Sequence, residues 1–455
     1  MQSYGFTRKT LVPLASALAL AAATASGASA ATATLLYSFK TGTSDGQLPF
    51  ADVTLDSQGN IYGVTSAGGA VDAGVVYKVA PDGTETVLHS FVGGDNDGAY
   101  PSSNVLLDRA GNLYGLTFSG GGTGCGGGGC GTVYKLAPDG KVTLLHSFAG
   151  DGDGNGPQGD LLADAAGNLY GAAAIGGGDA TCAVHGFGKD SGCGTLFKVA
   201  PDGAFTVLHT FENPLKQGAI PQGFLIADAQ GNLYGVTETN GETTPCPAGV
   251  AQKGCGVVFK LSTSGAYSVL HAFTGDSDGG VPYGGPIGDA QGDLYGATLA
   301  GGNLGICDYT VGDGKGCGVL YKLTPGGTLT TLHTFTGGAD GAAPTSRLTA
   351  DCKGNLYGTA EFGGDDKAKA CANSFGVNGC GTVFKITPEG IFSVLHTFHG
   401  APKDGSQPIF TGVVADGAGN LYGATPAGGA NGVGAVYKLT DTGFATTGKA
   451  CSSAP

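Results

Sequence analysis

Apolar residues fall in short runs along this chain, with no i, i+3, i+4 rows of the kind that mark an amphipathic helix. In "NVLLDRAGNLYGLTF" two runs, Asn104–Asp108 and Leu113–Phe118, flank "RAGN", where Gly111 and Asn112 suit a tight turn. A Gly-rich stretch follows. Then come "GTVYKL" (Gly131–Leu136), rich in β-branched and aromatic residues, a "PDG" turn, and "KVTLLHSF" (Lys141–Phe148). The pattern predicts four short strands in a unit of roughly 60 residues, with tight turns and long loops alternating.

The unit repeats. G-(N/D)-(L/I)-Y-G occurs with its Asn or Asp at 60, 112, 168, 232, 293, 355 and 420. An aromatic-Lys pair ends at Lys78, Lys135, Lys198, Lys260, Lys322, Lys385 and Lys438. L-H-(S/T/A)-F supplies His89, His146, His209, His271, His333 and His396, and its seventh copy, "LYSF" at Leu36–Phe39, precedes every other mark. Seven four-stranded units predict an all-β fold, a seven-bladed β-propeller over residues 31–440. The last unit stops after "AVYKL" (Ala435–Leu439) and lacks its outer strand, while "TATLLYSF" stands unpaired near the other end. The N-terminal strand is therefore expected to complete the last blade and close the ring. A β-solenoid would have a shorter period and no missing strand.

The strings "GTVYKLAPDGKVTLLHSF" and "GNLYGLT", with the D-G-x-x-P between them, resemble the GloVer tandem repeat of exported bacterial proteins, the choice-of-anchor tandem repeat GloVer-containing proteins. The resemblance covers nearly all of the chain after residue 30. It implies export and a variable C-terminal anchor, and it implies no particular activity. The ending "GKACSSAP", in a tail of residues 441–455, has no apolar stretch and departs from that pattern. D-x-x-G-N-(L/I)-Y is also similar to NHL and senescence-marker-protein-like propeller repeats, which bears on fold more than on function.

Residues 1–30 read as a secretory signal peptide: Arg8 and Lys9, an apolar stretch from Leu11 to Ala23, and "ASA" at Ala28–Ala30. The expected location is the periplasm or the extracellular space, with no transmembrane segment. Twelve cysteines then read as disulfides. Five local couples, Cys125–Cys130, Cys182–Cys193, Cys246–Cys255, Cys307–Cys317 and Cys371–Cys380, occupy the same loop of five units, and Cys352–Cys451 is the remaining pair. A formal net charge of −14 argues against nucleic acid and anionic lipid as partners.

In a meander blade the "xxGN" and "PDG" turns share one face. The long loops and the D-G-x-x-P connections share the other, which is the expected working face. The turn aspartates (Asp56, Asp108, Asp164, Asp228, Asp289, Asp351, Asp416) are expected to cap their own turns, with Asp–Lys pairing a weaker expectation. The six His are read as structural and the seven Tyr of G-N-L-Y-G as core aromatics. Acid-rich connections hold Asp95 and Asp97, then Asp151, Asp153 and Asn155, then Asp276 and Asp278. The middle one opens like a calcium loop but has Leu162 where an EF-hand needs Glu, so no cofactor is expected and calcium is the weaker alternative.

Four positions before each turn Asp stand Asp52, Asn104, Asp160, Phe224, Gly285, Arg347 and Gly412, a predicted polar channel mouth. Glu238 and Glu361 leave the second strand on the same face. Asp52, Asn104, Asp160, Glu238, Arg347 and Glu361 are the candidate binding residues. No G-x-S-x-G elbow, HExxH, phosphate loop or Rossmann fingerprint is present. The expected function is a secreted, monomeric, non-catalytic binding module for an extracellular glycan or protein. The alternative is a metal-dependent propeller hydrolase or lactonase with its site at the channel mouth.

Overall fold

The computed structural model describes residues 31–447 apart from 179–191, 242–245, 248–253, 310–313, 365–370 and 372–377. It is a ring of seven small antiparallel sheets, each running from an inner to an outer strand. Blade one is built from Thr54–Leu55, Ile61–Thr65, Val75–Val79 and Glu85–Ser90, in that spatial order. Blade seven takes Val414–Ala415, Leu421–Thr425 and Ala435–Thr440 from the end of the chain and Thr32–Ser38 from its start. That last pairing runs antiparallel from Thr32 opposite Thr440 to Ser38 opposite Ala435, the closure expected from the missing strand. No helix among the described residues is long and apolar enough to cross a membrane.

Each recurring motif has a mechanical role. In the second strand, the Gly of L-Y-G makes room for the third-strand ring: a Cβ on Gly63 would stand 2.4 Å from the Tyr77 hydroxyl. The third-strand aromatics form the centre of the core, and Tyr77, Tyr134, Phe197, Phe259, Tyr321 and Phe384 have no exposed surface. Each meets the edge of the L-H-x-F phenylalanine of the preceding blade, at 5.2 Å for Phe91–Tyr134 and 5.3 Å for Phe148–Phe197. The contact persists across the closure, at 5.0 Å for Phe39–Tyr77. Such edge contacts contribute about 0.5–1.5 kcal/mol each beyond burial.

D-G-x-x-P is the clasp between blades. The residue before the proline is left-handed in every blade: Leu48, Tyr100, Gly156, Ile220, Val281, Ala343 and Gln407 have φ between 53° and 60°. That is a costly conformation for β-branched Ile220 and Val281. It aims each N–H at the preceding blade: Tyr100 donates to the Ala73 carbonyl at 2.9 Å, Val281 to Cys255 at 2.8 Å, and Leu48 to Val433 across the closure at 3.0 Å. In five blades the accepting carbonyl belongs to the second cysteine of a couple (Cys130, Cys193, Cys255, Cys317, Cys380). Cys125–Cys130, Cys246–Cys255, Cys307–Cys317 and Cys371–Cys380 are bridged. Cys182 and Cys451, the expected partners of Cys193 and Cys352, lie outside the described residues. No described cysteine is free.

The clasp engages three of the six aspartates considered for calcium. Asp97 accepts from His89 Nε2 at 3.1 Å and from the Val92 and Gly98 amides. Asp153 accepts from His146 Nε2 at 3.1 Å and the Ala149 amide, and Asp278 from His271 Nε2 at 3.0 Å and the Thr274 amide. The structural reading of the histidines therefore has a specific content: each reaches across its connection to the D-G aspartate. Asp95, Asp151 and Asp276 face solvent, and Asn155 begins the inner strand Asn155–Ala163.

Blade three departs from this rule. Gln217 stands in place of the Asp, its Oε1 accepts the Glu212 and Asn213 amides, and the buried Nε2 of His209 has no partner among the described residues. Burial pushes the His209 imidazole down to about 4. Gln217→Asp is expected to rebuild the pair and add about 1 kcal/mol of stability, as a charge-assisted hydrogen bond does. The His209 resonance, followed by NMR, would then titrate at least one unit higher. An unchanged titration would mean that the connection cannot bring a carboxylate to the ring.

The turn aspartates cap as expected. Asp56 Oδ1 accepts the Gln58 and Asn60 amides and Oδ2 accepts Asn60 Nδ2 at 2.7 Å and the Tyr62 hydroxyl at 3.2 Å. The same set recurs at Asp108, Asp164, Asp228, Asp351 and Asp416. Here the reading of the G-N-L-Y-G tyrosines as core needs correction. Tyr357 and Tyr422 are buried core residues as expected, but Tyr62, Tyr114, Tyr170, Tyr234 and Tyr295 are only half-buried, each hydroxyl reaching its turn aspartate at the disc surface. The third-strand lysines mostly lie over these rings, 5.7 Å from Tyr114 for Lys135 and 5.3 Å from Tyr422 for Lys438. Ion pairs form at Lys260–Asp228 (4.0 Å) and Lys322–Asp293 (2.6 Å).

Candidate functional site

Because each clasp ends on its proline, the residues after it are delivered to the axis on the loop-rich face. Three steps past the proline stands the throat: Asp52, Asn104, Asp160, Phe224, Gly285 and Arg347, with Gly412 one step later in blade seven. Neighbours in this ring touch. The Asn104 amide donates to Asp160 Oδ1 at 3.2 Å, and the Gly412 amide donates to Asp52 Oδ1. A Cβ on Gly285 would strike the Phe224 carbonyl at 2.0 Å, so glycine there is a matter of close approach.

Directly after the proline stands a wider rim: Phe50, Ser102, Gln158, Gln222, Tyr283, Thr345 and Ile409. Sequence reasoning missed it. The signal was present, since the shared proline is followed by seven residues of unlike chemistry. Gln158 Nε2 donates to Gln222 Oε1 at 3.1 Å, and Gln222 Nε2 donates to Glu238 Oε2 at 3.2 Å. Tyr283 stacks on Phe410, ring centroids 4.7 Å apart, and covers one side of the mouth.

Between throat and rim lies a cavity of about 300 Å³. Rings line its walls: Phe50, Tyr100, Phe118, Phe224, Tyr283 and Phe410. Its polar groups are Ser66, Ser102, Ser103, Asn104, Gln158, Gln222, Asp52 and Asp160. Of the sequence candidates, Asp52, Asn104 and Asp160 line this space, and Glu238 reaches it through Gln222. Arg347 stands in the throat ring outside the lining, and Glu361, 7% exposed, is also outside it.

Electrostatics sets Asp52 and Asp160 apart. They are 9% and 7% exposed. Burial raises the Asp52 pKa first, and the Asp160 charge raises it further; the Gly412 amide and the Arg347 guanidinium oppose the shift. Burial also raises Asp160, against Arg347 and the Asn104 amide. Among the described residues no group of three or more His, Cys, Asp and Glu is placed to hold a metal ion.

A closed ring of seven blades with a walled mouth on its loop-rich face defines a β-propeller. The chain belongs to the Gloeobacter/Verrucomicrobia repeat family, whose model matches residues 23–244, 131–306 and 246–371. Among solved structures it is similar to virginiamycin B lyase from Staphylococcus aureus, at 12% identity and a TM-score of 0.49 over 90% of this chain and 98% of that one. It is also similar to a putative 6-phosphogluconolactonase from Bacteroides uniformis, at 15% identity and 0.44 over 79% and 86%. A third likeness is to a gluconolactonase from Xanthomonas campestris, at 13% identity and 0.39 over 81% and 89%. These scores carry no functional argument. No curated protein matches the chain.

Proposed function

We propose that this propeller is an extracytoplasmic binding module that holds a small ligand in the mouth of its channel. The observation that carries the reading is the cavity itself. Its walls are the residues in which the seven repeats differ, set on clasps that the repeats share. A rigid scaffold with variable, partly aromatic lining is how binding sites are generally built. Four disulfides are in keeping with an oxidising compartment. The hydrolase alternative needs several carboxylates converging on one ion. The absence of Glu361 from the cavity lining and the engagement of Glu238 with Gln222 favour the binding reading over it.

A thermal-shift screen of glycans and small metabolites against the purified protein tests this. We expect a ligand that raises the melting temperature of the wild type and has no effect on Ser66→Trp, in which an indole fills the cavity. A screen in which every hit acts equally on both proteins would count against the mouth as the site.

A further inference from the structure

We propose that the mouth recognises an organic monocation, an alkylammonium group with an apolar body. The inference rests on the binding reading above and names the ligand class of that site.

Charge balance comes first. Asp52 and Asp160 approach the axis from blades one and three, and each is at least nine-tenths buried. Each spends Oδ1 on a backbone amide of another blade. Neither Oδ2 has a hydrogen-bond partner among the described residues, and neither carboxylate has an ion-pair partner there. One guanidinium, Arg347, acts on both from outside the cavity wall. Two carboxylates facing one arginine leave a single negative charge to be balanced, and the lining holds no Lys, Arg or His to do it.

Hydrogen-bond polarity agrees. An ionised Glu238 is an acceptor, so its bond fixes which end of the Gln222 amide is nitrogen. That bond fixes Gln158 in turn, and Gln158 Oε1, an acceptor on a lining residue, takes no part in the chain of bonds. Carboxylate oxygens and this amide oxygen together present acceptors to the cavity. The hydroxyls of Ser66, Ser102 and Ser103 and the Asn104 amide, which donate as well as accept, stand beside these acceptors, so it is the charge balance that favours an ammonium group over a neutral saccharide. Phe50, Phe118 and Phe224 line the same space, and aromatic rings attract a cation electrostatically and pack its alkyl groups.

Burial keeps the carboxyl pair partly protonated when the site is empty, and an arriving cation replaces that proton. The charged groups bearing on the pair are Asp52 and Asp160 themselves and Arg347. Binding is therefore expected to release protons and to tighten between pH 5 and pH 8.

The test compares choline with 3,3-dimethylbutan-1-ol, its neutral isostere, by isothermal titration calorimetry of the purified protein, with n-butylammonium as a second cation. The wild type should bind at least one cation tenfold more tightly than the alcohol, with a heat that depends on the buffer's ionisation enthalpy. Asp52→Asn with Asp160→Asn keeps both Oδ1 acceptors and should abolish that preference. Phe118→Leu, which needs no polar compensation, should weaken cation binding severalfold. Equal binding of choline and its isostere overturns the proposal. So does binding of neutral saccharides or the alcohol, blocked by Ser66→Trp, with no cation binding; in that case the binding-module reading stands. If neither cation binds, the cation proposal falls, and the binding-module reading is decided by the thermal-shift screen.

Discussion

Replacing Glu361 with glutamine should stabilise this protein strongly at alkaline pH and leave it unchanged at pH 4. Glu361 leaves the second strand of blade six with its amide bound to the Ala343 carbonyl and its side chain 7% exposed. Among the described residues its carboxyl has no hydrogen bond or ion pair, and burial alone pushes its pKa up to about 8. A carboxyl that titrates higher in the folded state favours the native structure while it is neutral. That contribution is complete below the unfolded value near 4.5 and is lost as pH rises through about 8. Wild-type stability should fall by up to about 1.4 kcal/mol per pH unit across that window. Glutamine keeps the neutral shape throughout. Allowing for water drawn toward the charge, Glu361→Gln should gain roughly 2–4 kcal/mol at pH 9. Urea denaturation at pH 4, 7 and 9 measures it. A gain of equal size at all three values would show that ionisation is not the cause.

The ring was legible because propeller repeats state their own period. Seven copies of three marks, one out of order, left the N-terminal strand a single vacant place. Local chemistry was equally plain. Asp56 and its counterparts cap turns within four residues of themselves, a range over which sequence and geometry coincide. The clasp was harder. Asp97 looks like a turn residue or a cation ligand until His89, eight residues back on the neighbouring strand, is seen to hold it. The proline in the same motif packs on the preceding blade, where a Cβ on Gly74 would meet Pro101 Cδ at 2.7 Å. A contact between blades leaves no trace in a single repeat. At the mouth, aligning the copies located Asp52, Asn104 and Asp160, since the throat is a fixed offset from the turn. It missed Gln158, Gln222 and the rim rings, because attention to acidic residues passed over amides and aromatics. It also grouped Glu361 with the throat. At the same position of the repeat Ser66 and Phe118 line the cavity and Glu238 is linked to it by the neighbouring glutamine, whereas Glu361 is not part of the lining.

The third-strand aromatics lead to the other large effect. Blades three, four and six carry Phe197, Phe259 and Phe384, whereas four others carry Tyr77, Tyr134, Tyr321 and Tyr437 in the same packing against the L-Y-G glycine. The four hydroxyls are buried without a hydrogen-bond partner among the described residues. A phenol desolvated in this way costs about 1–3 kcal/mol relative to the ring alone. The remaining blades show that the ring alone suffices: Phe148 meets Phe197 at 5.3 Å much as Phe91 meets Tyr134 at 5.2 Å. Each Tyr→Phe change should therefore gain about 1 kcal/mol. Four changes in different blades should add, giving about 4 kcal/mol for the quadruple variant. pH supplies an independent check. Burial drives all four phenols well above their ordinary range. Their neutral forms support folding fully below pH 10, and that support is lost as pH rises further. The wild type should thus lose stability above pH 10 more steeply than the quadruple variant, whose phenylalanines do not titrate. Guanidinium denaturation at pH 7 and pH 10.5 measures both effects. A loss of stability on substitution at pH 7 would mean that the hydroxyls are bonded in solution, and that the tyrosines are kept for that bond.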